Sequence, residues 1–116
     1  MATAFDFPAF KRAFEAQDVE AWLDFFAPDA EWREYQPDAP PQSPKISVGR
    51  EAIRARLTYI AGLGIKQAIS DEVIGGERIA FAFWVTMPDG RHLIEHVILH
   101  LADGKIARQV DVEAWD

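Results

Sequence analysis

Apolar residues recur every three or four positions in three segments of the first half of the chain, a spacing that predicts amphipathic helices. The first segment follows Asp6 and the second follows Asp18, and both aspartates can cap a helix. Pro28 ends the second helix, and Ser47 can cap the third. The apolar positions are Phe7, Phe10 and Phe14 in the first helix, Trp22, Phe25 and Phe26 in the second, and Ile53, Leu57 and Ile60 in the third.

The second half of the chain contains four apolar-rich runs, at 65–74, 78–87, 91–101 and 105–115, that predict β-strands. Turn sequences of Gly, Pro and Asp separate them, so an antiparallel meander is expected. A further short strand is predicted at 30–35, before a proline-rich loop at 36–47. Helices followed by strands are the order of an α+β domain.

Composition narrows the choice of partners. The chain has 116 residues, the size of one domain, and 49% of them are apolar. Its net charge of −7 and scattered basic residues argue against nucleic acid as a partner. The start of the chain has no signal-peptide pattern, and no apolar run is long enough to span a membrane, so a cytoplasmic location without membrane contact is expected.

The sequence also argues against a metal site. The absence of cysteine excludes disulfides and thiolate ligands. His92, His96 and His100 share one strand, and each lies about 13 Å from the next because a strand rises about 3.3 Å per residue. They cannot bind one ion together, so we expect neither a metal nor a cofactor.

Three short phrases occur in a characteristic order: Phe26-Ala-Pro-Asp-Ala-Glu-Trp32, Gly49-Arg-Glu-Ala-Ile53 and Asp103-Gly-Lys-Ile106, with an Asp seven residues after the last Gly. With the order of elements, they make the chain resemble the nuclear-transport-factor-2-like superfamily, and SnoaL-like polyketide cyclases, ketosteroid isomerases and limonene epoxide hydrolases within it. The resemblance implies one SnoaL-like domain over residues 1–116. Its fold would be a cone-shaped α+β barrel, with three N-terminal helices packed on a strongly curved, mostly antiparallel sheet around a pocket for an apolar small molecule.

The resemblance also implies site residues. Glu34 matches the general base of ketosteroid isomerases, whereas Asp111 matches both the acid/base of SnoaL-like cyclases and the water-activating acid of the epoxide hydrolases, whose Arg matches Arg78. Phe10 and Val97 stand where ketosteroid isomerases place their two oxyanion donors. Neither side chain can donate a hydrogen bond, so steroid isomerisation in its usual form is not expected.

The turn at Leu101–Lys105 determines which side chains face the pocket. A three-residue loop with Gly104 in the left-handed conformation places Glu95 opposite Asp111. Two neighbouring carboxyl groups in an apolar pocket cannot both ionise freely, so one becomes an acid and the other a base. We therefore expect Asp111, Glu34 and Glu95 to be catalytic. The expected substrate-binding residues are Trp32, Gln109, Val97, Phe83, Phe81, Leu99, Phe10, Phe14, Trp22 and Phe26.

Two further predictions concern the sheet and the function. A two-residue turn would shift the pairing by one residue and place His96 opposite Asp111 as a dyad. The outer face carries apolar residues that predict a homodimer interface: Trp84, Ile94, His96, Ile98, Val110 and Val112. The function is either a cofactor-independent acid/base enzyme of the isomerase, cyclase/lyase or epoxide-hydrolase type, or a non-catalytic domain that binds apolar ligands or dimerises.

Overall fold

A computed structural model describes residues 4–116. The helices are α1 (Phe7–Ala16), α2 (Val19–Leu23) and α3 (Arg50–Ala61). The strands are β1 (Phe26–Tyr35), β2 (Lys45–Val48), β3 (Lys66–Ile74), β4 (Arg78–Thr86), β5 (His92–Ala102) and β6 (Lys105–Trp115). No helix in residues 4–116 is long and apolar enough to cross a membrane.

The six strands form one sheet in the order β2-β1-β6-β5-β4-β3. Strands β1 and β6 are parallel, and every other neighbouring pair is antiparallel. The sheet curves around the helices but does not close. The predicted α+β class, three helices and mostly antiparallel sheet are therefore confirmed, while the predicted barrel remains open between β2 and β3.

The second helix is shorter than its apolar spacing predicts. Asp18 caps α2 as expected, accepting a hydrogen bond from the Ala21 N–H, but the helix ends at Leu23. Phe26 begins β1 instead, where it pairs with Ile106 of β6. The Ile106 N–H also donates to the Phe25 carbonyl at 2.8 Å. Pairing with β6 therefore replaces helical hydrogen bonds that the local sequence alone would favour.

The predicted loop at 36–47 contains the beginning of strand β2. Lys45 to Val48 pair with β1, so Ser47 belongs to a strand and does not cap α3. Gly49 occupies the cap position with a φ of 88°, a conformation that favours glycine, and its N–H donates to the Ala30 carbonyl at 2.9 Å. The pairing partner of β2 is distant in sequence, which is why a local pattern of prolines concealed it.

Aromatic rings fill one end of the space between α1 and the sheet. The ring centroid of Phe10 lies 6.0 Å from those of Phe7 and Phe81, 5.8 Å from that of Phe14 and 5.5 Å from that of Phe25. Phe10 is fully buried. We call these five residues the aromatic core. Four rings therefore surround that of Phe10 at this end of the domain.

The β5–β6 hairpin differs from the predicted register by two residues. Asp103 and Gly104, both with positive φ, form a two-residue turn in which Ala102 pairs with Lys105. A bulge then places an extra residue, Ala107, in β6, so Leu99 pairs with Gln109. The turn predicted for this hairpin is wrong. The bulge nevertheless restores the inward orientation of the β6 side chains that the three-residue turn had predicted.

The β4–β5 hairpin has the predicted three-residue loop. Met87 N–H donates to the Arg91 carbonyl at 2.8 Å, and Gly90 adopts a φ of 91° in the loop between them. This register turns Phe81, Phe83 and Val85 to the buried face, as predicted.

Candidate functional site

A cavity of about 990 Å³ lies between α3, the loop after β1 and the inner face of the sheet. Its walls combine aromatic and aliphatic side chains with a group of carboxyl groups. This composition is typical of a small-molecule site. The lining side chains include Phe14, Trp22, Trp32, Glu34, Arg56, Phe83, Glu95, Gln109, Asp111 and Glu113.

Asp111 is the most enclosed of these acids, with 1% of its surface exposed. Trp32 Nε1 donates to Asp111 Oδ2 at 3.0 Å, and Gln109 Nε2 donates to Oδ1 at 3.0 Å. Burial, followed by the nearby Glu34 carboxylate, raises the pKa of Asp111 to about 8, although the two N–H donors oppose this increase. The group can therefore change protonation state near neutral pH.

Glu95 and Glu113 extend the group along the sheet. They pair directly across β5 and β6, while Asp111 pairs with Val97. Burial, Asp111 and Glu113 raise the pKa of Glu95 well above its usual range. Burial also raises the pKa of Glu113, whose Oε1 accepts a hydrogen bond from Trp115 Nε1 at 2.9 Å. We call Glu34, Glu95, Asp111 and Glu113 the acid cluster.

Glu34 differs from the other members because a cation neutralises it. Arg56 of α3 binds it through two hydrogen bonds, from Nε to Oε2 at 2.9 Å and from Nη2 to Oε1 at 3.0 Å. The Arg56 side chain is 15% exposed and the Glu34 side chain is 3% exposed, so the pair is largely withdrawn from water. Such bidentate geometry favours the ionised carboxylate. Both oxygens of Glu34 are therefore engaged by Arg56 and are not free to accept a proton from a substrate.

The hydrogen-bond contacts of Asp111 differ from those of Glu95. Asp111 accepts hydrogen bonds from Trp32 and Gln109, which favours its ionised form, whereas no N–H of residues 4–116 donates to Glu95. A hydrogen bond joins the Glu95 and Asp111 carboxyl groups, raising the pKa of Glu95 and lowering that of Asp111. The N–H donors at Asp111 and their absence at Glu95 favour the ionised form of Asp111 and the neutral form of Glu95. The pair therefore consists of two carboxyl groups with raised pKa values and different surroundings, which suits them to act as an acid and a base.

Half of the predicted substrate-binding residues line this cavity, and half do not. Phe14, Trp22, Trp32, Phe83 and Gln109 belong to its walls. The others are packed in the protein core and away from the cavity lining, because the aromatic rings and aliphatic side chains there contact one another. These core residues are Phe10, Phe26, Phe81, Val97 and Leu99.

Sequence analysis did not predict two residues of the site, Arg56 and Glu113, although the position of each in its helix or strand could have indicated it. Arg56 lies three residues after Ile53 and four before Ile60, within the apolar stripe of α3, and a cation in such a stripe requires an acidic partner. Glu113 follows Asp111 by two residues, so the period of a strand predicts that both face the cavity.

The histidines lie away from the cluster. His96 pairs with Val112 and is exposed on the opposite face of the sheet from Asp111, so the predicted His–Asp alternative is wrong. Residues 4–116 contain no group of three His, Asp or Glu side chains arranged to hold a metal ion.

Two buried polar atoms of cavity-lining residues have no hydrogen-bond partner within residues 4–116. They are Trp22 Nε1, a donor, and Gln109 Oε1, an acceptor. Both residues are 1% exposed. Buried polar groups are nearly always paired, so each such atom requires a reason.

Several solved structures have a fold similar to that of this chain. Similar solved structures include an NTF2-like protein of unknown function from Mesorhizobium loti, with a TM-score of 0.80, 16% identity and coverage of 93% of this chain and 87% of that one. A ketosteroid isomerase homologue from Kribbella flavida has a TM-score of 0.72 and 19% identity, covering 94% and 73% respectively. A polyketide cyclase homologue from Sinorhizobium meliloti also has a TM-score of 0.72 and 19% identity, covering 89% of each chain.

These similarities concern the fold. No curated protein matches the chain in sequence. The model of the SnoaL-like domain family matches residues 8–109, most of the chain. The chain therefore belongs to the SnoaL-like domain family.

Proposed function

We propose that this chain is a small-molecule-binding domain that catalyses proton transfer on a neutral, apolar metabolite without a cofactor. The observation that carries the proposal is the Glu95–Asp111 pair, two buried carboxyl groups with different hydrogen-bond partners in a cavity with aromatic walls. Isomerisation and cyclase/lyase reactions next to a carbonyl group need this combination.

Asp111 is the base in the proposed reaction. Its carboxylate takes a proton from the carbon adjacent to a carbonyl group, and the electron pair of the broken C–H bond moves to the carbonyl oxygen as an enolate. Glu95 then supplies its proton to another atom of the substrate, and the proton on Asp111 passes to Glu95 through their shared hydrogen bond. Protons and electrons balance without an external reactant.

The charge of the cavity supports a neutral substrate. Six acidic side chains line it, namely Glu34, Asp38, Glu95, Asp111, Glu113 and Asp116, against three basic ones, Lys45, Arg56 and Arg91. Arg56 is already paired with Glu34, and Arg91 with Asp89. A carboxylate or phosphate substrate would therefore be repelled.

The epoxide-hydrolase type is less well supported than carbonyl chemistry. The resemblance places the hydrolase arginine at Arg78, but Arg78 adjoins the inward-facing Ile79 and pairs with His100 on β5. Since neighbouring residues of a strand face opposite sides, Arg78 and Asp111 lie on opposite faces of the sheet.

The test is exchange of carbon-bound hydrogen in deuterated buffer, with β-tetralone and phenylacetone as neutral probe ketones. We expect the wild type to accelerate exchange next to the carbonyl, and Asp111→Asn to lower the accelerated rate roughly 100-fold or more. Asp103→Asn is the matched control, because Asp103 lies in the β5–β6 turn, and it should retain the wild-type rate. Equal rates for wild type and Asp111→Asn would contradict the proposal.

The alternative is a non-catalytic domain that binds apolar ligands. It predicts that β-tetralone binds, as measured by calorimetry, while exchange stays at the rate of buffer in every variant. A domain that only dimerises predicts neither binding nor exchange.

We also propose that the outer face of the sheet pairs with a second copy of the chain. Trp84, Ile98 and Val112 are 53%, 45% and 55% exposed there. Burial of such a surface would stabilise a dimer. Sedimentation should give a dimer for the wild type and a monomer for Ile98→Lys. The control Ile74→Lys, at an exposed position on edge strand β3, should stay dimeric. A monomeric wild type would contradict the proposal.

A further inference from the structure

The cavity contains one buried donor that its own contacts leave unused. Sequence comparison had found no donor at Phe10 and Val97, the positions where ketosteroid isomerases hold the substrate oxygen, and the structure places both in the packed core. An enolate in this cavity therefore needs hydrogen-bond donation from somewhere else.

The other buried donors that line the cavity are engaged. Trp32 Nε1 and Gln109 Nε2 both donate to Asp111, and Gln67 Nε2 donates to the Phe14 carbonyl at 2.7 Å. Trp115 Nε1 donates to Glu113, and Arg56 donates to Glu34. Donors that already serve carboxylates or the backbone cannot serve a ligand without breaking those bonds.

Trp22 is the exception. Its ring lies in the cavity wall, 5.0 Å from the ring of Phe14, and its Nε1 has no partner among residues 4–116. Resting on the proposed function, we propose that Trp22 Nε1 binds the carbonyl oxygen of the substrate, which makes ketones rather than hydrocarbons of the same shape the ligands of this cavity.

The chemistry of an indole suits this role. The N–H is neutral and donates only, so it can bind a carbonyl oxygen and then the enolate oxygen without losing its proton. The hydrogen bond strengthens as negative charge develops on that oxygen, which stabilises the enolate more than the ketone. Gln109 Oε1, the other unpartnered atom, is an acceptor and cannot take this place.

The atom is shielded from water in the ligand-free protein. Solvent therefore does not satisfy it, and the Trp22 side chain must turn slightly toward the ligand when an oxygen binds.

Binding of β-tetralone and of tetralin, the same ring system without the oxygen, tests the proposal without requiring catalysis. We expect wild-type protein to bind the ketone more tightly than the hydrocarbon. Trp22→Phe keeps a ring but removes the donor, and should lower this preference roughly threefold to tenfold. Trp84→Phe makes the same change at an exposed site and should preserve the preference. An unchanged preference in Trp22→Phe would overturn the proposal.

A second readout needs no variant in this position. The chain has four Trp residues, so the indole N–H signals can be assigned individually by NMR. The Trp22 signal should move downfield with β-tetralone and not with tetralin, and an equal response to both would overturn the proposal. If hydrogen exchange fails while these binding results hold, the proposed function fails and the carbonyl subsite stands. If exchange depends on Asp111 while the Trp22 signal and the ketone preference do not respond to the carbonyl group, the proposed function holds and the carbonyl subsite at Trp22 fails.

Discussion

The aromatic core and the acid cluster both lie on the inner face of the sheet, the first beside α1 and the second beside α3, but different interactions stabilise them. In the aromatic core, four rings pack around the fully buried ring of Phe10. In the acid cluster, four carboxyl groups and one arginine occupy equivalent inward positions, and a cavity of about 990 Å³ remains. Apolar side chains can fill space by contact alone, whereas buried carboxyl groups need donors, cations or protons.

The cavity lies where the side chains on the inner face of the sheet change from apolar to polar. Along β6, the inward positions pass from Ile106 to Gln109, Asp111 and Glu113. Gln109 donates a hydrogen bond to Asp111, and Trp115 donates one to Glu113. These hydrogen bonds offset part of the cost of placing polar side chains on the inner face. Stability should therefore depend on packing at one end and on charge at the other.

The largest effect is expected in the aromatic core. Phe10→Ala should lower the free energy of unfolding by about 3–5 kcal/mol, because it removes a fully buried ring and leaves a void. Urea denaturation measures the change. The loss should be nearly independent of pH between 5 and 8, since no acid of the cluster belongs to the aromatic core. A loss below about 1 kcal/mol would mean that this end is not tightly packed.

Arg56→Met should destabilise the other end by about 3 kcal/mol, because it leaves the buried Glu34 carboxylate without its cation. The double variant Arg56→Met/Glu34→Gln removes the unpaired charge as well and should recover a large part of the loss. Denaturation of all four proteins of the cycle gives the coupling energy. Simple additivity of the two single changes would show that the ion pair has no special role.

The pH dependence of folding stability should distinguish the acid cluster from the aromatic core more clearly. The raised pKa values of Asp111, Glu95 and Glu113 mean that the folded state holds protons more tightly than the unfolded chain. Stability should therefore be greatest below about pH 4 to 5, and it should fall as the pH rises toward 8, by on the order of 1–3 kcal/mol. Glu34 and Arg56 face the same acids but remain a neutral pair.

Glu95→Gln removes one of these protons, so it should flatten the decline and make the protein more stable than wild type at pH 8. Glu51→Gln, at an exposed site on α3, should leave the slope unchanged. A wild-type profile that rises between pH 5 and 8 would contradict the proposed protonation of the cluster.

The smallest effect concerns one hydrogen bond. Trp32→Phe removes the donor to Asp111 Oδ2 and should cost about 1 kcal/mol of stability. The same change should raise the pKa of Asp111, since this hydrogen bond lowers it. NMR titration of the carboxyl carbon would follow the shift. A lower pKa in the variant would show that Trp32 does not favour the ionised form.

Much of the fold was predictable because its signals are local. Helix α1 begins after Asp6 as predicted, and the four strands of the meander begin and end within one or two residues of the predicted runs. The local patterns gave wrong predictions where pairing with a strand distant in sequence outweighs the local preference. Phe26 joins β1 because β6 offers it hydrogen bonds, and β2 forms in a proline-rich segment because β1 lies beside it.

The candidate site was predictable in part for the same reason. Alternation along a strand placed Glu34, Glu95, Gln109 and Asp111 on the inner face, and the structure brings these side chains to one cavity. It does so despite an incorrect turn, because the bulge at Ala107 returns β6 to the predicted orientation. The facing residues changed, however, so Glu95 pairs with Glu113 rather than with Asp111.

The amino-acid sequence by itself determined the class of fold, the inward-facing positions of the strands and the supply of acids, because these follow from local spacing and side-chain chemistry. Only the tertiary structure decided which acid receives Arg56, which acid receives the N–H donors of Trp32 and Gln109, and which end of the domain stays open. Those properties arise between residues that are distant in sequence, such as the 79 positions that separate Trp32 from Asp111. Burial and direct contacts, which no local pattern contains, determine their energies.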